Sequence, residues 1–244
     1  MKWIGFLCIV TLLGACAVAA MAAPWSDDFE SYTAGNNLPS PWTGNTGVTA
    51  KAGTGVGGSQ SAWGSNGWPD TYRAADGNTT IIASMLVDDA GTDSSRVWMG
   101  FSTGGSIVWS PTGNTVVIML RYGYDGFPYL AAESDKGDLY SATTEVYLPN
   151  STWIQAKLEC NLTAMTCHAS YRVLGNTTWL DVGYNPDLTL FPGFAPNYVG
   201  IRAGEAVSYD GSFGTIDDLI AVPEPASLAV LLMGLAGLVI RRKK

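Results

Sequence analysis

The sequence predicts an all-β body, a two-sheet antiparallel β-sandwich, with a signal helix before it and a hydrophobic helix after it. Three observations carry that prediction. Residues 23–221 alternate apolar and polar side chains with period two and show almost no helical periodicity. Turn-forming pairs such as Gly-Asn and Asp-Gly recur at roughly 8–15-residue spacing. An apolar stretch from Trp3 to Leu13 opens the chain, and an apolar, uncharged run from Ala226 to Ile240 precedes its basic end. The composition agrees: 47% of the 244 residues are apolar and 14% charged, which supplies a core and excludes disorder. With 13 Lys+Arg against 21 Asp+Glu, the chain lacks the basic surface that phosphate binding needs, so nucleic acid is not an expected partner.

Residues 1–22 read as a secretory signal. Lys2 supplies the positive start, Trp3 to Leu13 the apolar stretch, and Ala20-Met21-Ala22 an A-x-A cleavage site. Leu13-Gly14-Ala15-Cys16 also resembles a bacterial lipobox, which implies processing at Cys16 instead. Both routes export the body.

The body, residues 23–221, is expected to be one domain, since it contains no linker and no repeat. Strands are predicted at 26–32, 46–51, 71–75, 79–88, 95–103, 115–122, 127–133, 143–148, 152–160, 166–174, 177–182, 197–204 and 213–221. The hairpin at 152–174 has an internal check on its register. Pairing Cys160 with Cys167 sets Leu158/Ala169, Ala156/Tyr171 and Ile154/Val173 on the inner face. Glu159/His168, Lys157/Ser170 and Gln155/Arg172 then fall outside. A slip of one residue would oppose apolar to polar side chains. The two cysteines are thus placed to bridge, and they are the only two left after cleavage at Ala22, in an oxidising compartment. A disulfide Cys160–Cys167 is expected.

The last segment, 222–244, is the most specific. Pro223-Glu224-Pro225 stops the final strand, because proline lacks an amide donor, and should leave an extended, exposed peptide. Ala226 to Ile240 is 15 residues without a charge, and Arg241, Arg242, Lys243 and Lys244 close the chain. As a helix the apolar run is about 22 Å long, short against a ~30 Å hydrocarbon core. The basic cluster should stay cytoplasmic as a stop-transfer signal. In order and spacing these parts resemble the PEP-CTERM sorting signal of Gram-negative bacteria. The resemblance implies recognition of Pro223, Glu224 and Pro225 by an exosortase, transient inner-membrane insertion, and release to a surface or matrix associated with exopolysaccharide or biofilm. Removing Lys2 and the four basic tail residues from the 13 Lys+Arg leaves eight against 21 Asp+Glu, so the exported body carries about −13. That charge suits a hydrated matrix.

The two ends of the body are alike: Asp27-Asp28-Phe29-Glu30 opens it and Asp217-Asp218-Leu219-Ile220 closes it. With the strand number, they resemble the first and last strands of concanavalin A-like (laminin-G-like) jelly rolls, in which the termini pair within one sheet. That resemblance implies an architecture, and architecture alone does not set function.

Catalytic machinery is not evident. The single histidine, His168, is expected on an outer face opposite Glu159. The Glu-x-Asp-x-x-Glu strand of sandwich glucanases does not occur, and neighbours such as Asp88-Asp89 or Asp217-Asp218 point to opposite faces of a strand. The body is therefore expected to be non-enzymatic and without cofactor. A structural calcium would need several carboxylates; Asp27, Asp28 and Asp217 are the candidates if the first and last strands pair, with the loop Asp88–Asp93 as a second oxygen-rich stretch. Sugar sites use exposed aromatics with hydrogen-bonding neighbours. The candidates are Trp63, Trp68 and Tyr72, beside Asn66 and Asp70, and Tyr122, Tyr124, Phe127 and Tyr129, beside Arg121 and Asp125. Trp98, Trp153 and Tyr171 are expected in the core. Asn78, Asn150, Asn161 and Asn176 open Asn-x-Ser/Thr triplets that read as polar turns. A lectin-like module and a hydrolase with an unrecognised site are the alternatives to a non-enzymatic matrix protein.

Overall fold

Period-two alternation becomes two layers. The structure, a computed structural model, describes residues 23–44, 47–64, 70–87, 95–107, 114–122, 127–136, 139–203 and 214–223. Among these residues the strands form two antiparallel sheets. Sheet A runs β14 (Leu180–Asp181), β13 (Thr166–Val173), β12 (Ile154–Asn161), β6 (Thr80–Val87), β17 (Gly214–Val222), β4 (Ser61–Gly64), β3 (Val48–Lys51). In addition β1 (Trp25–Asp27) pairs with β17, and β15 (Asp187–Thr189) with β13. Sheet B runs β10 (Leu139–Ala142), β9 (Pro128–Lys136), β8 (Thr115–Tyr122), β7 (Arg96–Ser102), β16 (Tyr198–Ala203), β5 (Asp70–Ala74), β2 (Thr43–Gly44), with β11 (Val146–Tyr147) on β9.

The inner faces make the core. Ile154, Ala156 and Leu158 of β12, Ile81 and Met85 of β6, and Ile216, Leu219 and Ala221 of β17 face Val97, Met99 and Phe101 of β7, Val116, Ile118 and Leu120 of β8, and Val199 and Ile201 of β16. Each large buried aliphatic side chain contributes roughly 1.5–3 kcal/mol. The hairpin register is the expected one, from Ile154 opposite Val173 to Cys160 opposite Cys167.

Several boundaries differ from expectation. The predicted strand 26–32 ends at Asp27, because the Asp27 carboxylate turns the chain: it accepts the Phe29 amide at 3.0 Å. Predicted strands 143–148 and 177–182 shrink to two residues each at the sheet edges. β2, β4, β10 and β15 are additional. Ser-Ala-Trp-Gly in β4 has little strand signature of its own in a Gly/Ser-rich stretch; it extends because β17 and β3 offer partners on both sides. The last strand runs through Val222, one residue past the expected end of the body.

A single carboxylate closes the seam where the chain enters. Asp27 is buried and accepts the Trp42 indole N–H at 2.7 Å and the Tyr32 hydroxyl at 2.5 Å, besides the Phe29 amide. The Arg73 guanidinium lies 3.7 Å above the Trp25 ring in the same seam. Burial first, then Asp27, push the Tyr32 phenol up to about 12. Asp27→Ala would strand the Trp42 and Phe29 donors away from water, at about 1–3 kcal/mol for each buried unsatisfied group. Chemical denaturation of the purified body should therefore show a loss of about 2–4 kcal/mol, whereas an unchanged midpoint would show that the Asp27 hub does not hold the seam.

Candidate functional site

The predicted sugar-binding aromatics do not converge. Trp63 lies on β4, on the outer face of sheet A, with the Lys51 ammonium 3.8 Å from its ring centre. Tyr72 lies on β5, on the outer face of the opposite sheet, edge-on to Tyr198 at 5.3 Å. Tyr122 is buried in the main core, not exposed at a turn. Trp68 and Tyr124, with Asn66 and Asp125, lie outside the described residues. Ladder pairing draws Trp63 into β4, a strand with little signature in the sequence, whereas Tyr72 lies in the strand expected at 71–75, and the two strands belong to opposite sheets.

Tyr129 keeps the expected neighbour Arg121 and gains Tyr147, which the sequence reading missed. On the outer face of sheet B, β11 places Tyr147 opposite Tyr129, and β8 places Arg121 opposite it on the other side. The tyrosine rings are 6.2 Å apart, and the Arg121 guanidinium is 5.7 Å from the Tyr129 ring. Tyr147 is 57% exposed and Phe127 at the strand entrance 54%. The Tyr147 hydroxyl donates to Glu145 at 3.4 Å. Burial raises the Tyr129 phenol, Glu145 adds to that, and Arg121 and Arg96 oppose it. The result is a ring platform with a carboxylate and guanidinium groups at its border, a chemistry suited to an apolar sugar face with hydroxyls at its rim. Only cross-strand register reveals it, since Tyr147 is 18 residues from Tyr129.

Further along sheet B the outer face is closed. Gly200 leaves room for Ile107, which packs there with Trp98 and Val117 in a second apolar cluster. Trp98 is thus buried as expected, but outside the sandwich interior. Strand β9 carries Glu133 and Asp135 on this face, a near-match to the glucanase spacing. Both make interactions of their own.

The carboxylates proposed for calcium are not brought together as ligands, although β1 and β17 do pair. Asp27 is saturated by Trp42, Tyr32 and Phe29. Asp217 accepts the Val56 amide and the Ser59 hydroxyl, each at 2.9 Å, and the Asp218 amide at 2.8 Å. Burial raises its carboxyl and those hydrogen bonds oppose the rise. Asp28 is exposed and accepts the Glu30 amide. Among the described residues no group of three or more His, Cys, Asp or Glu side chains is arranged to hold a metal; Asp88 to Asp93 lie outside them. His168 faces Glu159 in register, and its ring nitrogens meet Asp187 at 2.7 Å and Asp181 at 3.2 Å. These surface pairs contribute little to stability.

Cys160 and Cys167 face each other as buried thiols, their sulfurs 3.0 Å apart. Burial pushes the Cys167 thiol up, followed by its contact with Cys160. Closing to a ~2.05 Å bond requires a shift of about 1 Å. Thiol labelling of the exported protein, denatured without reductant, should leave both cysteines unmodified; two labelled cysteines would show that the bridge does not form.

At the far end of β17, Val222 still pairs with Thr80, and its carbonyl accepts the Thr79 amide at 3.1 Å. Pro223 is buried, contrary to the exposed peptide expected from the sequence. Ladder bonds reach one residue past the anticipated boundary and carry the proline into the domain. Glu224, Pro225 and the basic residues 241–244 lie outside the described residues, as does the signal segment 1–22. Among the described residues no helix is long and apolar enough to cross a membrane.

With this geometry in hand, the comparisons divide by region. Residues 221–243 match the PEP-CTERM protein-sorting motif, so the chain carries that motif. No curated protein sequence matches the chain. The body has the all-β sandwich fold of several solved structures at low identity. A bifunctional GH43-CE protein of Bacteroides eggerthii is 16% identical with a TM-score of 0.53 over 80% of this chain and 25% of its own. A xylan beta-1,4-xylosidase of Bacillus halodurans is 12% identical with a TM-score of 0.54 over 80% of this chain and 38% of its own. The chain thus spans about a quarter to two-fifths of those two proteins. The CBM2 module of an evolved Dit from a Lactobacillus casei phage is 15% identical with a TM-score of 0.50, over 82% of this chain and 96% of its own.

Proposed function

We propose that this chain is an exported bacterial surface protein, sorted by an exosortase through Pro223, Glu224 and Pro225, whose folded body serves an exopolysaccharide or biofilm matrix without catalysis or cofactor. The observation that carries this reading is the sorting motif at 221–243, joined directly to the last strand of the sandwich. The signal segment exports the body, the apolar run holds it briefly in the inner membrane with 241–244 on the cytoplasmic side, and the exosortase releases it. An acidic body near −13 stays soluble in a hydrated gel. In the native host, Glu224→Ala and deletion of the exosortase should each leave the full-length precursor in the membrane fraction. Normal maturation in both strains would refute the assignment.

One observation favours a second reading, a lectin-like module: the exposed Tyr147 and Phe127 beside Tyr129 and Arg121. Stacking of a sugar on such a platform contributes on the order of 1 kcal/mol per ring. On this reading the purified body binds a member of a glycan panel that includes the host's own polysaccharide, and Tyr147→Ala weakens that binding about fivefold or more. Failure to bind any glycan removes the lectin reading and leaves the first intact.

A further inference from the structure

The sorting motif has no spacer. Pro223 follows Val222, whose backbone is held by Thr79 and Thr80, and the proline itself is buried. β17 lies inside sheet A, with β6 along one side and β4 and β1 sharing the other. Withdrawing residues 219–222 would open the middle of a sheet, a sub-global event, unlike the fraying of an edge.

The pole at which β17 ends is also the pole at which the body begins. Trp25 pairs with Ala221, so residue 23 lies beside residue 223. The turn that packs there is built on Asn78, a fully buried side chain whose amide donates to the carbonyls of Ala23 at 3.0 Å and Ala75 at 2.8 Å. The β12–β13 hairpin tip, residues 161–165, stands at the same pole, because Glu159 and Val222 both pair with Thr80. In sequence, only Glu224 and Pro225 separate Pro223 from the apolar run at 226–240. Two residues span at most about 7 Å when fully extended. A precursor inserted through that run therefore carries this pole against the bilayer surface.

Resting on the exosortase reading above, we infer that the folded body and the sorting enzyme compete for Pro223: the enzyme meets the protein at the pole formed by residues 23–25, 75–79, 161–165 and 222–223, and the bond it breaks lies C-terminal to Pro223. A protease cleft takes its substrate as an extended strand with its main chain unpaired. Val222 and the residues before it already spend their main-chain groups in the sheet. Only the chain beyond Pro223 is reached without opening β17. Cleavage there leaves residues 23–223, with every strand of sheet A whole, and its rate tracks the fraction of molecules in which Pro223 has lifted from the body.

The test uses the full-length precursor in its native host. Intact-mass analysis of the matured protein should place the C-terminus at Pro223 or later, and a mature chain ending at Val222 or earlier would overturn the inference. A second variant inserts six alternating Gly and Ser residues between Val222 and Pro223, which keeps β17 complete and frees the proline. Pulse-chase should show this precursor converted at least about threefold faster, with the thermal midpoint of the matured body unchanged. Conversion at the parent rate would also overturn the inference. Both measurements are repeated in an exosortase-deleted strain. Processing that persists there removes the exosortase reading and this inference together. Processing that requires the enzyme but ignores the spacer removes only the inference.

Discussion

The pairing of β17 in the interior of sheet A is the constraint on which the rest of this structure depends. The last strand of the body is the one that β6, β4 and β1 all need as a partner. Its N-terminal half pairs with β4 and its C-terminal half with β1, with a register shift between Asp217 and Ile220. At that shift the left-handed backbone of Asp218 redirects the strand, and the Asp217 carboxylate gathers the amide of Val56 and the hydroxyl of Ser59. Residues nearly 200 positions apart thus lie side by side. Such non-local pairing makes folding slow and keeps sheet A incomplete until the final residues of the body are available.

The buried carboxylates of Asp27 and Asp217 are saturated by fixed donors. Asp27 and Asp217 each sit at a place where the chain changes direction, and each collects an amide together with a side-chain donor. Desolvating a carboxylate is costly unless its lone pairs are used. The indole of Trp42 and the hydroxyls of Tyr32 and Ser59 meet that requirement. This is the physical reason that pairing of the two acidic ends does not assemble a cation site from Asp27, Asp28 and Asp217.

The two outer faces then differ in what they offer. Sheet A presents paired charges such as Lys157–Glu159 and the His168–Asp187 contact, with Trp179 beneath the cations of Lys157 and Arg172. Sheet B is capped in part by Ile107, and it carries aromatic pairs at Tyr72–Tyr198 and, at the edge where β11 joins β9, at Tyr129–Tyr147. The sorting segment continues directly from the strand that organises sheet A.

The sequence alone determined the layer architecture and indicated the hairpin register from Ile154/Val173 to Cys160/Cys167, because a one-residue slip would set apolar side chains against polar ones and the cysteine pair marks the alignment. It also identified the sorting motif, whose order of parts is local in the chain. The sites behaved differently. Whether Trp63 and Tyr72 share a surface, whether Tyr147 stands beside Tyr129, and whether Pro223 is free or buried depend on which strands become neighbours across long stretches of sequence. Glycine-flanked segments such as 61–64 carry almost no intrinsic strand preference, so the ladder that recruits them is a property of the assembled sheet. Only the tertiary structure could decide those placements, because hydrogen-bond partners far away in the chain outweigh local propensity.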